Sequence, residues 1–232
     1  MRTQDIEAVR EQRIFSGVDP NCVDDMLHAS FLQRFPPHVE LVSEGEPADF
    51  LYVVIEGQVE VFARYCDRET TISVLGPGSC FITAAVVLDR VYLKSVRSLT
   101  NARTLLIPAA AIRRCFAQDA AFARALATDL ALAYRSVVKD LKNQKLRSGI
   151  ERLANWLLVA HAEFGSAPSF KLPFEKKILA ARLGMAPEVL SRAFATLAAY
   201  QVRVTGCNVE IGDLDALHKL ARPMPTIDDA SI

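Results

Sequence analysis

What this chain lacks narrows its function before any motif is read. No stretch approaches the ~18–20 consecutive apolar residues that a membrane span needs. The polar start, Met1-Arg-Thr-Gln-Asp-Ile-Glu7, has none of the apolar core of a signal peptide. No membrane association is expected, and the protein is read as cytoplasmic. The five cysteines, Cys22, Cys66, Cys80, Cys115 and Cys207, are odd in number and scattered, which fits reduced thiols better than a disulfide framework. An excess of one charge is missing too: 27 basic side chains meet 27 acidic ones. That excludes a chain basic along its whole length but leaves room for the local basic patch that DNA binding needs. There is no Walker loop, G-x-S-x-G elbow, H-E-x-x-H pair or Rossmann fingerprint, so an enzyme is not expected.

What is present suffices for a substantial core: 232 residues, 51% of them hydrophobic, enough for one large domain or two smaller ones. Residues 1–30 read as short helices. Asp19-Pro20-Asn21 supplies a helix start, and Val23, Met26 and Leu27 recur at helical spacing. From Phe31 to Pro108 the texture changes to short runs of Val, Leu, Ile, Tyr and Phe between glycine and proline turns. Many short strands at close spacing predict a β-roll or sandwich.

Between Ala109 and Arg147 there is neither glycine nor proline, which predicts one long helix, broken early near Cys115–Asp119. Leu126, Leu130, Ala133, Val137 and Leu141 place an apolar stripe along it, while Arg135, Lys139, Lys142 and Lys145 are solvated. A helix packed on its own domain would carry such a stripe, and so would one strand of a two-stranded coiled coil. The expectation is a dimerisation helix and hence a homodimer. The division predicted is therefore 1–108, N-terminal helices and β-roll; 109–147, dimerisation helix; and 148–232, a third unit. In that unit residues 152–161 form an amphipathic helix, 163–168 a loop, and 174–183 and 187–200 two closely spaced helices. A hairpin then turns at Thr205-Gly206-Cys207-Asn208. Helix, helix-turn-helix and hairpin make a winged helix-turn-helix, and the fold class is α+β.

The turn between the paired helices is Gly184-Met185-Ala186, with Pro187 opening the second helix. At 100° per residue, Leu190, Ala193, Phe194 and Leu197 face inward and Glu188, Ser191, Arg192, Ala195 and Thr196 face outward. Arginine can donate two hydrogen bonds to guanine, glutamate can accept from base amino groups, and serine can serve a base or a phosphate. An ordinary i,i+4 surface ion pair between Glu188 and Arg192 is the competing reading. Local charge favours DNA: from Lys171 to Arg203 six basic residues stand against Glu175 and Glu188. Lys177 and Arg182 are the candidate phosphate contacts to double-stranded DNA.

At this point the sequence resembles the Crp/Fnr superfamily of transcription regulators over nearly its whole length. Residues 45–62 (GEPADFLYVVIEGQVEVF) resemble that family's β-roll, 75–81 (LGPGSCF) the turn before its ligand segment, and 142–158 the link to its DNA domain. Residues 188–192 (EVLSR) match the E-x-x-S-R recognition helix of the Fnr-like branch, which includes nitric-oxide and redox-responsive members. The resemblance implies a double-stranded, cyclic-nucleotide-binding-like β-roll and a palindromic operator with TTGAT-like half-sites read by Glu188, Ser191 and Arg192. RNA polymerase is implied as a partner if the protein activates. Relatives that bind cyclic AMP use Gly-Glu and Arg-Ser pairs. Here Thr83-Ala84-Ala85 carries no carboxylate, and Arg90 and Lys94 lie outside that context, so a cyclic nucleotide is not expected. An iron–sulfur cluster is not expected either, since Cys22 alone precedes Cys66. Haem-based gas sensing, a small apolar ligand, thiol oxidation and a purely structural β-roll stay open. His28 and His38 are the candidate haem ligands, with Met26, Cys66 and Cys80 behind them, and Cys80 is the candidate redox thiol.

Overall fold

The computed structural model describes residues 3–229, and two compact units divide between Tyr134 and Arg135. In the first unit α1 (Thr3–Arg10) and α2 (Pro20–His28) precede β1 (Phe31–Phe35), β2 (Glu40–Val42), β3 (Phe50–Glu56), β4 (Val59–Tyr65), β5 (Arg68–Leu75) and β6 (Cys80–Phe81). Then come α3 (Thr83–Leu88), β7 (Ser95–Ser98), β8 (Ala102–Pro108), α4 (Ala109–Gln118) and α5 (Ala120–Leu146), whose residues from Arg135 onward belong to the second unit. The start of α2 is the expected one. The Asp19 carboxylate accepts from the N–H groups of Asn21 and Cys22, and Pro20 takes a first-turn position that needs no donor.

The eight strands make two antiparallel four-stranded sheets, β1-β8-β3-β6 and β2-β7-β4-β5. Alternation along each strand decides what faces inward. Leu51 and Val53 on β3 pair with Ile107 and Leu105 on β8, and all four join Val59 and Val61 of β4 in one core. Each such side chain contributes roughly 1.5–3 kcal/mol by leaving water. At the β3–β4 turn Gly57 adopts φ +80°, and an added Cβ would collide with the Asn101 carbonyl and the Ala102 Cα, so the turn requires glycine. The helix α3 has no counterpart in the sequence reading, because its six residues, TAAVVL, are too few for a periodic signal.

The helix predicted over 109–147 is two helices. Asp119 is extended (φ −117°, ψ 112°) and separates α4 from α5, so the break falls at the end of the expected window. The Asp119 carboxylate accepts from Phe122 N at 2.8 Å, capping α5. One expectation is corrected here. Cys22 on α2 and Cys115 on α4 are joined by a disulfide with a Cα–Cα separation of 6.0 Å, leaving Cys66, Cys80 and Cys207 free. They stand 93 residues apart, and only the packing of α2 on α4 brings them together.

The second unit continues with α6 (Gly149–Glu163), β9 (Ser169–Lys171), α7 (Lys176–Arg182), α8 (Pro187–Leu197), β10 (Val202–Thr205), β11 (Asn208–Ile211), α9 (Leu214–Ala221) and α10 (Pro225–Asp228). Ser148 and Glu151 form a capping box that starts α6. The hairpin of β10 and β11 gains a third strand, β9, in the order β10-β11-β9. Its Phe170 pairs with Val209 and is buried with it. Leu153, Leu157, Leu179, Leu190, Leu197 and Leu217 complete this second core. The fold is the α+β architecture expected: a two-sheet β domain, a long helix and a winged helix-turn-helix.

Candidate functional site

The helix-turn-helix is set by one glycine and two backbone bonds. Gly184 takes φ +65° just past α7, and the N–H groups of Gly184 and Met185 donate to the carbonyls of Ala181 and Ala180. Arg152 on α6 fastens this turn, its Nε donating to Leu183 O at 2.8 Å and its Nη1 to Arg147 O at 2.7 Å. Burial pulls the Arg152 guanidinium below its usual range, since carbonyls rather than a carboxylate meet it. Nothing in the periodicity of α6 marks Arg152 as the residue that anchors the turn between α7 and α8.

On α8, Leu190, Ala193, Phe194 and Leu197 are buried, whereas Glu188, Ser191, Arg192, Ala195 and Thr196 are exposed. Among the described residues Glu188 and Arg192 form no ion pair with each other, although one helical turn separates them. Both charged heads are available to a ligand. Between α8 and the β10–β11 hairpin lies an open concavity of about 520 Å³, lined among others by Lys176, Ser191, Ala195, Arg203 and Thr205. Lys176 Nζ sits 5.7 Å over the Phe194 ring. Lys177 and Arg182 are exposed on α7. Lys176, Arg203 and Thr205 are additions to the sequence-derived set; the excess of basic residues pointed to their segment, not to their shared hollow.

In the β domain, Thr83 Oγ1 donates to Asp129 Oδ2 on α5 at 3.1 Å, and Arg13 lies 3.7 Å from the same carboxylate. Burial raises the Asp129 carboxyl against the pull of both partners. Arg13, Ser16, Cys80, Arg124, Thr128 and Asp129 line a cavity of about 290 Å³. Burial, reinforced by Asp129, pushes the Cys80 thiol up to about 12, so the thiolate that redox chemistry requires is scarce at neutral pH. This weighs against Cys80 as the redox centre. His28 is exposed on α2 with Nδ1 2.8 Å from Asp24 O, and His38 is exposed in a left-handed turn. Neither lines the Cys80 cavity, and neither exposed ring sits in the apolar slot that a haem needs around its axial ligand. Met26 is a core residue. Lys94 is half-buried and its ammonium is pulled below the usual range by burial, while Ser95 Oγ accepts from Glu44 N.

The apolar stripe on α5 splits in two. Leu126 is fully buried in the first unit's own core, which corrects its assignment to a dimer face: it reaches the β domain before any partner can. Leu130 is half-buried, and Ala133, Val137 and Leu141 are exposed, Val137 at 59% and Leu141 at 55%.

Comparison with known proteins matches residues 32–119 to the cyclic nucleotide-binding domain and residues 151–220 to the Crp-like helix-turn-helix domain. A curated relative, the CRP-like cAMP-activated global transcriptional regulator of Mycobacterium tuberculosis, is 26% identical over 222 residues, which cover 93% of this chain and 99% of that protein. The solved structure of FixK2 from Bradyrhizobium japonicum superposes with a TM-score of 0.73 at 20% identity, covering 84% of this chain and 98% of the other. A CRP-family transcriptional regulator from Thermus thermophilus gives 0.67 at 22% identity, over 82% and 97% of the two chains.

Proposed function

We propose that the chain is a DNA-binding transcription regulator of the Crp/Fnr type, as its two matched domains and its mycobacterial relative support, and that it binds as a homodimer to a palindrome with TTGAT-like half-sites. Glu188, Ser191 and Arg192 read the bases. The observation that carries this reading is their joint exposure on one face of α8, with the two charged heads unpaired to each other. The N-terminal end of such a helix enters the major groove, where arginine meets guanine O6 and N7 and glutamate meets amino groups. Lys177 and Arg182, joined by Lys176 and Arg203, hold phosphates. The exposed α5 positions Ala133, Val137 and Leu141, with Leu130 beside them, supply the two-fold contact, and a two-fold axis calls for half-site centres about one helical turn apart.

Fluorescence anisotropy with a labelled operator tests the assignment. Arg192→Ala should cost ~1–3 kcal/mol and relax preference at one base pair per half-site. Undiminished discrimination in competition against single-base variants would overturn it.

The signal in this reading is a gas, a redox change or a small molecule other than a cyclic nucleotide. It rests on the absence of a carboxylate in Thr83-Ala84-Ala85 and of a bidentate arginine partner for a phosphate in that segment. A second reading, activation by cyclic AMP, is favoured by the name of the mycobacterial relative. Raised DNA affinity and raised melting temperature on adding cyclic AMP would select it; no change in either would exclude it.

A further inference from the structure

The Cys22–Cys115 disulfide joins α2 to α4 beside the start of α5, outside the helix-turn-helix. Cys22 is in the first turn of α2, three residues after its cap Asp19, and Cys115 is one turn before Asp119. A second tie runs parallel to the covalent one. Asp119 Oδ2 accepts from Asp19 N at 2.8 Å while its Oδ1 caps α5 through Phe122 N. The start of α2, the end of α4 and the start of α5 therefore meet within one turn of the sulfurs. Cys115 is 2% exposed, whereas Cys22 is half-buried and opens onto a hollow of about 440 Å³ lined by Asp19, Asn21, Asp25, Gln118 and Asp119.

We propose that Cys22 and Cys115 form a reversible two-electron redox site whose disulfide clamps α2 to the α4–α5 junction and so sets the DNA affinity of the dimer. The clause on DNA affinity rests on the function proposed above. The accessible Cys22 sulfur is oxidised first. With hydrogen peroxide as the oxidant, the Cys22 thiolate attacks one peroxide oxygen, the O–O bond breaks, and the leaving hydroxide takes up the proton the thiol released and departs as water, with a sulfenic acid left on sulfur. The Cys115 sulfur then attacks that sulfur as its proton passes to the leaving oxygen; the S–S bond forms, the S–O bond breaks, and the hydroxide departs as water. Two thiols and one peroxide give one disulfide and two waters. A small dithiol reverses it by thiol–disulfide exchange. Asp19, Asp25 and Asp119 at the mouth repel anions, so a neutral oxidant such as peroxide enters more readily than the anionic disulfide of glutathione. A protein that works beside DNA sits in a reducing compartment, where the disulfides that form are chiefly transient and redox-sensing.

The test uses the full chain, reduced with dithiothreitol and then titrated with hydrogen peroxide. Alkylation and peptide mapping should find Cys22 and Cys115 linked after peroxide, with Cys66, Cys80 and Cys207 still alkylated, and glutathione disulfide should act more slowly than peroxide. Reduction should lower Tm by roughly 5 °C or more, since the disulfide closes a long loop, and should change operator affinity at least ~5-fold. Cys22→Ser and Cys115→Ala should each abolish both differences; if Cys115→Ala fails to fold, Cys22→Ser, whose site is less buried, gives the same readout. Free, alkylated Cys22 and Cys115 after stoichiometric peroxide would overturn the redox site. A linked pair with equal DNA affinity in both states would overturn its regulatory role. Loss of operator binding in every state would instead sink the DNA-reading proposal, while the peptide map and the melting shift would still decide the redox chemistry.

Discussion

Arg147 holds Asp228 in a two-armed grip, Nη1 to Oδ1 at 2.7 Å and Nη2 to Oδ2 at 2.5 Å, with both side chains largely shielded from water. The pair ties the residue just past α5 to the C-terminal helix α10 within the second unit. Burial alone would raise the Asp228 carboxyl, but the Arg147 guanidinium and the Met224 N–H outweigh it and hold it below the usual carboxylate range. Arg147→Ala removes one partner of a shielded pair and should destabilise the second unit by about 3 kcal/mol, read as a lower urea midpoint at unchanged slope. A depressed carboxyl contributes stability that is present above its unfolded pKa and is lost as pH falls through the folded value. Urea midpoints of the parent chain should thus decline on acidification below about pH 4, and Asp228→Asn should flatten part of that decline.

Phosphate contacts and base contacts should separate by salt. Lys177→Ala and Arg182→Ala are each expected to weaken binding to operator and random DNA alike, and to reduce the slope of log affinity against log salt by ~1. Arg192→Ala should weaken operator binding more than random binding. Equal losses for all three variants on both DNAs would remove the distinction between reading and holding residues.

The two halves of the α5 stripe should respond in opposite ways. Val137→Asp puts a charge on an exposed apolar position, so sedimentation should show monomer while the melting profile is nearly unchanged. Leu126→Ala opens a cavity in the first unit's core and should cost ~2–5 kcal/mol while leaving the sedimenting species dimeric under native conditions. A Val137→Asp dimer of undiminished affinity would place the two-fold contact elsewhere.

Gly57→Ala should destabilise the first unit by at least ~1–3 kcal/mol, measured by thermal melting. The left-handed φ and the nearby Asn101 carbonyl leave a methyl group nowhere to go. Gly206→Ala, in the wing turn, has positive φ but open space around it and should cost less.

Sequence alone determined what is local and periodic in this protein. The glycine and proline around residues 184–187, the apolar stripe Leu190, Phe194 and Leu197, and the Asp19-Pro20 start act within one or two helical turns, so they were legible without coordinates. Burial of one helix face implies exposure of the other, which is why Glu188, Ser191 and Arg192 could be named in advance. Tertiary structure decided everything that depends on which distant segments meet. The Cys22–Cys115 bond, the burial that raises the Cys80 thiol and the Arg152 anchor on Leu183 are all non-local. The inward half of the α5 stripe looks the same in sequence as the outward half; only the β domain packed against Leu126 distinguishes a core position from a free one. Strand β9 and helix α3 are too short for periodicity to show, and they exist because pairing and packing, not propensity, stabilise them.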